Sequence, residues 1–499
     1  MTITLGDATL SIDDLVRVAR DRATVELAPT VRTRLAAARD VVDKLAQSDV
    51  PIYGLNTALG ANTGEPVADD DLAEYQRRAV RARAVGVGPA YDTTSVRAML
   101  FARAAGMRVG GSGVSPQVLD ALVELLNRRV HPVVPRFGSI SAADLPQLSH
   151  LVLPLLGEGE AELDGERLPG AEAMRRAGLA PLALGAKDGL ALISANAASV
   201  GRGALVLDET RALLDAWLSV IALSFEGFRG NVSALDARAI AARPAPGQID
   251  VARRLRALLD ASLLFTRGAA RRVQDPLSFR CVAQVHGAAH WMLGEARGQI
   301  ETELNSAADS PLVLADDGVL ISNGNFHIPA LALAFDALAL ALAQVTALAA
   351  GRTIKFMSPA FTGLPLQLTR RGPAHSGFAA TQKTLTALGN EIRLRANPAS
   401  LDFLPVSEGI EDHAPMALAC VEKLAEGIER ARYVAALELM VAAQAVDLRE
   451  LDPVSIGAGA RAAYRALRTR VAMLDEDRPL GPDIERAQRM LRDGLGRPA

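Results

Sequence analysis

Apolar positions recur every three to four residues over long stretches of this chain. That spacing predicts helices over 95–109, 117–129, 202–225, 278–306, 330–352 and 416–446. Several are longer than an ordinary globular helix and nearly all apolar, so they need other helices around them. Two-residue alternation is scarce. It predicts strands only at 2–5 and at 312–314 paired with 319–321, where Asp317-Gly318 is a hairpin turn signal. Gly/Pro clusters mark loops at 53–66, 131–138, 242–248 and 362–374. The expected fold is mainly α, with a loop-rich N-terminal region over 1–200, a central long-helix bundle over 201–450 and a C-terminal helical segment over 451–499. No boundary separates parts able to fold alone, so these make one structural unit.

Composition changes this picture little. The apolar run 330–350 has the length of a membrane span, but Asp336 and Gln344 interrupt it and its alanines suit close helix packing. It reads as a buried helix. A net charge of −3 gives no reason to expect nucleic acid or an anionic membrane as partner. Two cysteines, Cys281 and Cys420, cannot build a disulfide framework, which points to a cytoplasmic protein. Residues 1–14 carry Asp7, Asp13 and Asp14 and lack the basic start and apolar core of a signal peptide. The histidines show no metal-ligand spacing, and no phosphate-binding glycine motif appears. A small-molecule substrate is the expected partner, and no metal is expected.

Four segments carry chemistry. Tyr53-Gly54-Leu55-Asn56-Thr57, with Gly60 following, puts a phenol in a glycine-bearing loop. A phenol ionises near pH 10 and is a poor base unless its surroundings help it. Arg280 opens a long apolar helix, where a guanidinium needs either an ion-pair partner or an anionic ligand. Glu411-Asp412-His413 reads alone as a solvated helix start. Arg77, Arg78 and Arg81 read as an exposed basic face, with Arg83 set apart from them.

These segments, together with Gln274-Asp275-Pro276-Leu277-Ser278-Phe279-Arg280-Cys281, Asn323-Gly324-Asn325-Phe326-His327 and Asp188-Gly189-Leu190-Ala191-Leu192-Ile193-Ser194-Ala195-Asn196, resemble the histidine and aromatic amino-acid ammonia-lyases from about residue 53 to 448. The resemblance implies a fumarase/aspartase-like helical fold, carbon–nitrogen lyase activity and a homotetramer with sites shared between subunits. It implies Tyr53 as the base that removes the β-proton and Arg280 as the substrate-carboxylate clamp. It puts Phe326 beside the substrate and makes Glu411 the contact to the substrate amine or imidazole. Asn56, Gly60, Arg83, Ser194, Asn196, Gln274, Leu277 and Asn305 complete the expected substrate-binding set.

The chain departs from the family at its reactive centre. In the family an Ala-Ser-Gly triplet before an Asp-Leu pair cyclises into the electrophile MIO (methylidene-imidazolone). Here the segment reads Gly138-Ser139-Ile140-Ser141-Ala142-Ala143-Asp144-Leu145. Ser194 replaces the asparagine that supports the MIO ring, and Leu277 replaces a tyrosine beside it. MIO is therefore not expected, and no cofactor is. A basic Arg83 at a selectivity position favours a substrate bearing an extra anionic group, for which fixed cations stabilise the carbanion without a covalent electrophile. The expectation is MIO-independent elimination, or the reverse addition, on such an amino-acid-like substrate. Two alternatives stay open. One is a conventional MIO-dependent histidine or aromatic amino acid ammonia-lyase or aminomutase, with Ser141 dehydrated. The other is a non-catalytic binding homologue.

Overall fold

A computed structural model describes residues 1–62, 65–67, 72–401 and 403–495. Two compact units emerge. One comprises Met1–Asp208, Ala296–Phe335 and Ala399–Glu422; the other comprises Glu209–Glu295, Asp336–Pro398 and Lys423–Ala499. The last four residues of the expected C-terminal segment lie outside the described residues.

The predicted long helices form, at Thr93–Met107, Pro116–Asn127, Ala197–Phe228, Pro329–Phe356 and Ala417–Leu448. In the first unit, Thr93–Met107 starts at Asp92, whose carboxylate accepts the Ser95 N–H at 2.9 Å. It is buried from Ser95 to Met107. Buried Arg97 donates to Val18 O, at the end of helix Ile12–Ala19, and to Leu126 O, at the end of Pro116–Asn127. One cation thus satisfies the terminal carbonyls of two helices. Gly201 lets Ala197–Phe228 pass close by, because a Cβ there would lie 2.6 Å from the Ala98 carbonyl carbon.

The helix expected over 278–306 is interrupted. It forms as Leu277–Arg280 and Val282–Leu304, on either side of Cys281. The cause is visible in the second unit. Arg352 Nη1 donates to Ser278 O at 2.8 Å, taking the carbonyl that the Val282 N–H would reach in a continuous helix. Arg352 is held in turn by Glu438, with both side chains fully buried and contacts of 2.7 and 2.9 Å. Trp217 Nε1 and Ser224 Oγ donate to the same carboxylate. A saturated ionic network therefore fixes the turn that carries Arg280.

The expected hairpin forms in register, Leu312 opposite Ile321 and Leu314 opposite Val319, with Gly318 at φ 66°. Thr2–Leu5 is also a strand, paired in parallel with Thr24–Leu27. Several strands were not expected. They include Val87–Ala90 with Pro135–Phe137, and the sheet of His131–Pro132, Glu160–Leu163 and Glu166–Pro169. They are too short, and some too exposed, to show alternation. A signal did exist at the last pair: Asp164 and Gly165 both have positive φ, as an Asp-Gly hairpin turn requires.

Among the described residues two helical stretches, Asp188–Phe228 and Pro329–Phe356, are long and apolar enough to cross a membrane; the most apolar part of the first is 89% buried within the protein and that of the second half buried. Asp336, in the second, pairs with Lys423.

Candidate functional site

The expected site residues divide between the units. Tyr53, Asn56, Gly60, Arg83, Ser141, Ser194, Asn196, Asn305, Phe326 and Glu411 belong to the first, and Gln274, Leu277 and Arg280 to the second.

The Tyr53 loop is folded by its own polar groups. The N–H groups of Leu55, Asn56 and Thr57 all donate to Ile52 O. Asn56 Oδ1 accepts from Ile52 N at 2.7 Å, and its Nδ2 donates to Val50 O and Ser48 O. Asn56 thus shapes the loop. Gly54 takes φ 65°, and a Cβ there would lie 2.4 Å from Leu190. The turn brings the Gly60 N–H to 3.2 Å from the Tyr53 hydroxyl, which fixes the phenol's direction. Tyr53 and Tyr75 pack against Leu59, Ala79 and Leu190. Burial raises the Tyr75 pKa, which the Leu59 N–H and Arg83 counteract.

Helix Leu72–Arg81 ends before Arg83, which sits in the following turn. Its Nη1 donates to Ala79 O at 3.1 Å, and it has no carboxylate partner among the described residues. Arg77 and Arg81, by contrast, pair with Glu158 and Glu74.

The Ser141 segment centres on Asp144, fully buried at the start of helix Leu145–Val152. Its carboxylate accepts from Ser139 Oγ at 2.6 Å, Ser199 N at 2.7 Å, Ser199 Oγ at 3.0 Å and Ser141 Oγ at 3.3 Å. Burial pushes its pKa up, against these hydrogen bonds. Ser141 has φ 60° and no exposed surface. Its hydroxyl also lies 3.3 Å from Ser199 Oγ and accepts the Leu418 N–H at 3.0 Å. Ile140 O accepts from Met416 N at 3.1 Å, and Ala142 bridges the backbone of His327.

Beside this segment, buried Asn196 donates through Nδ2 to Phe326 O, while its Oδ1 has no partner among the described residues. Ser194 lies just beyond helix Asp188–Ile193, its N–H on Leu190 O. The Phe326 ring stands edge-on to His327, and His327 Nε2 lies 2.7 Å from His413 Nδ1. Glu411 lies on no helix; it bridges Val406 and accepts from Ser407 Oγ at 3.2 Å. Asn305 is taken up elsewhere. Its amide serves Leu10 N, Leu10 O, Glu301 O and Arg108, which satisfies both donors and both lone pairs.

In the second unit Arg280 has no carboxylate partner among the described residues. With its amide oxygen facing inward, Gln274 accepts from Arg280 at 2.8 and 2.5 Å. Leu277, one turn earlier, is 64% exposed. A cleft of about 510 Å³ lies here, lined by Gln274, Asp275, Arg280, Cys281 and Gln284. Asp275 Oδ1 is buried without a hydrogen-bond partner among the described residues, and burial raises the Asp275 pKa.

The sequence reading missed the Asp144–Ser199 hydrogen bonds and the His327–His413 contact. Both histidines lie in segments already singled out, but 86 positions separate them and only the fold pairs them.

Comparison with known proteins gives the family. The aromatic amino acid lyase family model matches residues 10–469. Histidine ammonia-lyase of Symbiobacterium thermophilum is 40% identical over 488 residues, covering 98% of this chain and 96% of the relative. The ergothioneine-degrading enzyme ergothionase of Treponema denticola superposes with a TM-score of 0.95 at 34% identity, covering 99% of each chain. Histidine ammonia-lyase of Trypanosoma cruzi superposes with a TM-score of 0.90 at 30% identity, covering 99% of this chain and 94% of that one. The chain is an enzyme of the aromatic amino acid lyase family.

Proposed function

We propose that this enzyme eliminates an amine-type group from an amino-acid-derived substrate without an MIO electrophile. The observation that carries the reading is the set of contacts around Ser141. Ring formation joins the amide nitrogen after the serine to the carbonyl carbon before it, and the serine then loses its hydroxyl. Here that nitrogen belongs to Ala142, whose backbone is bridged to His327, and that carbonyl to Ile140, whose oxygen is held by Met416. The hydroxyl itself is a buried acceptor for Leu418 N. Ala142 also brings a Cβ into a strained turn that glycine suits. These residues fit the ring poorly.

The elimination then rests on this chain's side chains. Arg280 holds the substrate carboxylate through its N–H donors, with Gln274 orienting the fork. Tyr53, aimed by the Gly60 N–H, takes the proton from Cβ. The C–H electron pair becomes the Cα=Cβ bond, and the Cα–N pair leaves with the nitrogen. Without a covalent activator the substrate must help. Either its nitrogen is already a good leaving group, as a quaternary ammonium is, or an anionic group held by Arg83 lets fixed cations stabilise the carbanion. Ergothioneine, a histidine betaine, has such a nitrogen, and N-substituted dicarboxylates have the anionic group.

The second reading is a conventional MIO-dependent histidine ammonia-lyase. Relatives of that name at 40% identity over nearly the whole chain favour it. Intact mass separates the two readings. The first expects the unmodified mass and alkene formation from ergothioneine or an anionic substrate. A mass lower by about 36 Da, a band at about 300 nm and turnover of histidine would establish the second.

We also infer a homotetramer located in the cytoplasm. Leu333, Leu340 and Ile354 are 58%, 47% and 36% exposed and share one face of Pro329–Phe356 at heptad spacing. A second copy would cover that face. Light scattering that finds a monomer would refute this.

A further inference from the structure

The cleft beside Arg280 does not end there. A larger cleft of about 840 Å³ shares Asn231, Ser233 and Val273 with it. The wall of this second cleft carries Arg267, Arg271 and Arg272. None of these has a carboxylate partner among the described residues. Arg271 and Arg272 are anchored by neutral groups, both donating to Phe361 O at 3.3 and 3.4 Å. Arg267 is exposed and makes no hydrogen bond or ion pair among the described residues.

The acids facing the same space do little to offset this charge. Asp236 is already bound by Arg238 at 2.7 Å. Asp275 turns one oxygen to the Asn231 N–H and buries the other, and its charge offsets part of that of Arg272 and Arg280. A third cleft, which shares Leu264 and Thr266 with the second, is lined by Arg229, Arg449 and Glu226; among the described residues the Arg229 side chain donates only to Ala269 O, and Arg449 donates to Thr362 O at 2.7 Å. Burial lowers the Arg449 pKa to about 10, helped by repulsion from Arg229 and Arg271. Guanidinium groups thus outnumber the acids along connected clefts, where field lines focus on an entering anion.

We propose that this arginine-lined channel binds a second anionic group, so that the molecule held at Arg280 is a dianion such as a dicarboxylate. This rests on Arg280 being the carboxylate clamp. It adds a contact in the second unit that neither Tyr53 nor Arg83 supplies. Backbone carbonyls fix two of the arginines without neutralising them, which leaves donors free for a carboxylate or sulfonate.

Calorimetric titration with succinate as the probe dianion and acetate as the monoanion tests this on the full chain. Succinate is expected to bind about tenfold or more tighter than acetate at low salt. The preference should shrink when NaCl rises from about 50 to about 300 mM, as screening demands. Arg267→Gln should weaken succinate about threefold or more and leave acetate unchanged, while Arg267→Lys should retain most of the preference. Arg267 is exposed, so neither variant threatens the fold. Equal affinity for the two anions, or succinate binding indifferent to Arg267→Gln, overturns the channel alone. Acetate and succinate binding that both survive Arg280→Gln overturns the clamp, and the proposal with it.

Discussion

Two buried carboxylates, one in each unit, organise the candidate residues around them, and they do so in opposite ways. Asp144 in the first unit is surrounded by neutral donors: three serine hydroxyls and one backbone N–H. Glu438 in the second faces a guanidinium, Arg352, with Trp217 and Ser224 completing its shell. Each fixes a neighbouring element. Asp144 ties the Ser141 loop to the start of Ala197–Phe228, and Glu438, through Arg352, sets the turn at Ser278 that carries Arg280. The chemistry of the shell decides what each can tolerate. Hydroxyls rotate and exchange donor for acceptor, so the first network adapts. A buried guanidinium cannot lose its charge, so the second does not.

Breaking the second network should have the largest effect. Glu438→Gln keeps the shape but leaves Arg352 unpaired in the core, and should destabilise the protein by about 3–5 kcal/mol in denaturant unfolding. Replacing both partners, Arg352→Met with Glu438→Leu, should recover most of that loss. It should not restore activity, because Ser278 O is then released and Arg280 loses its frame. A double variant as unstable as Glu438→Gln would show that the pair is more than a frame.

Asp144→Asn should cost less, about 1–3 kcal/mol, because only the Ser199 N–H is left facing a possible donor. The pH response separates the networks further. The folded-state pKa of Asp144 is raised by burial. Its contribution to stability is therefore full below the unfolded value near 3.9 and is lost as pH rises through the folded value. The Asn variant should lack that loss. A stability profile with the same slope in both proteins would move the ionisation elsewhere.

His286 gives the opposite sign in the second unit. It is fully buried, has no hydrogen-bond partner on either ring nitrogen among the described residues and packs edge-on against Trp217. Burial, with Arg352 nearby, holds its pKa well below 6.5. The unfolded chain takes up a proton near pH 6.5 that the folded chain refuses, so stability should fall by up to about 1.4 kcal/mol per pH unit below that point. His286→Met should flatten the acid limb. An unchanged limb would show that the folded protein accommodates the imidazolium.

These networks also mark where sequence reading stops. Long helices such as Pro329–Phe356 are written in local periodicity, and the hairpin at Gly318 in local turn chemistry. Tyr53 and Arg280 stood out because a phenol in a glycine loop and a cation on an apolar helix are locally odd. Nothing local says that Ser278 O is taken by Arg352, 74 positions away, so the break at Cys281 was invisible. Asn56 and Asn305 show the same limit from the other side. Their place in recognised segments predicted ligand contacts, yet their amides are fully or largely engaged by the backbone around them. A motif preserves a residue for its structural work as readily as for its chemistry, and only the list of its partners separates the two.

The smallest expected change bears most directly on the reaction. Ser141→Ala removes a hydroxyl that accepts the Leu418 N–H and touches Asp144 and Ser199. The N–H is left buried and unsatisfied, at about 1–2 kcal/mol, while Asp144 keeps its other donors. If Ser141 is only a structural hydroxyl, turnover of the native substrate should stay within about threefold of the parent, with the loss confined to thermal stability. If Ser141 is the precursor of an electrophile, the same substitution should abolish turnover by several orders of magnitude and leave the intact mass simply that of the encoded chain. The two outcomes differ far more than any scatter between preparations. The comparison also sharpens the contrast between the carboxylates, because a tolerated Ser141→Ala would show that the Asp144 network can lose a member and still hold its loop.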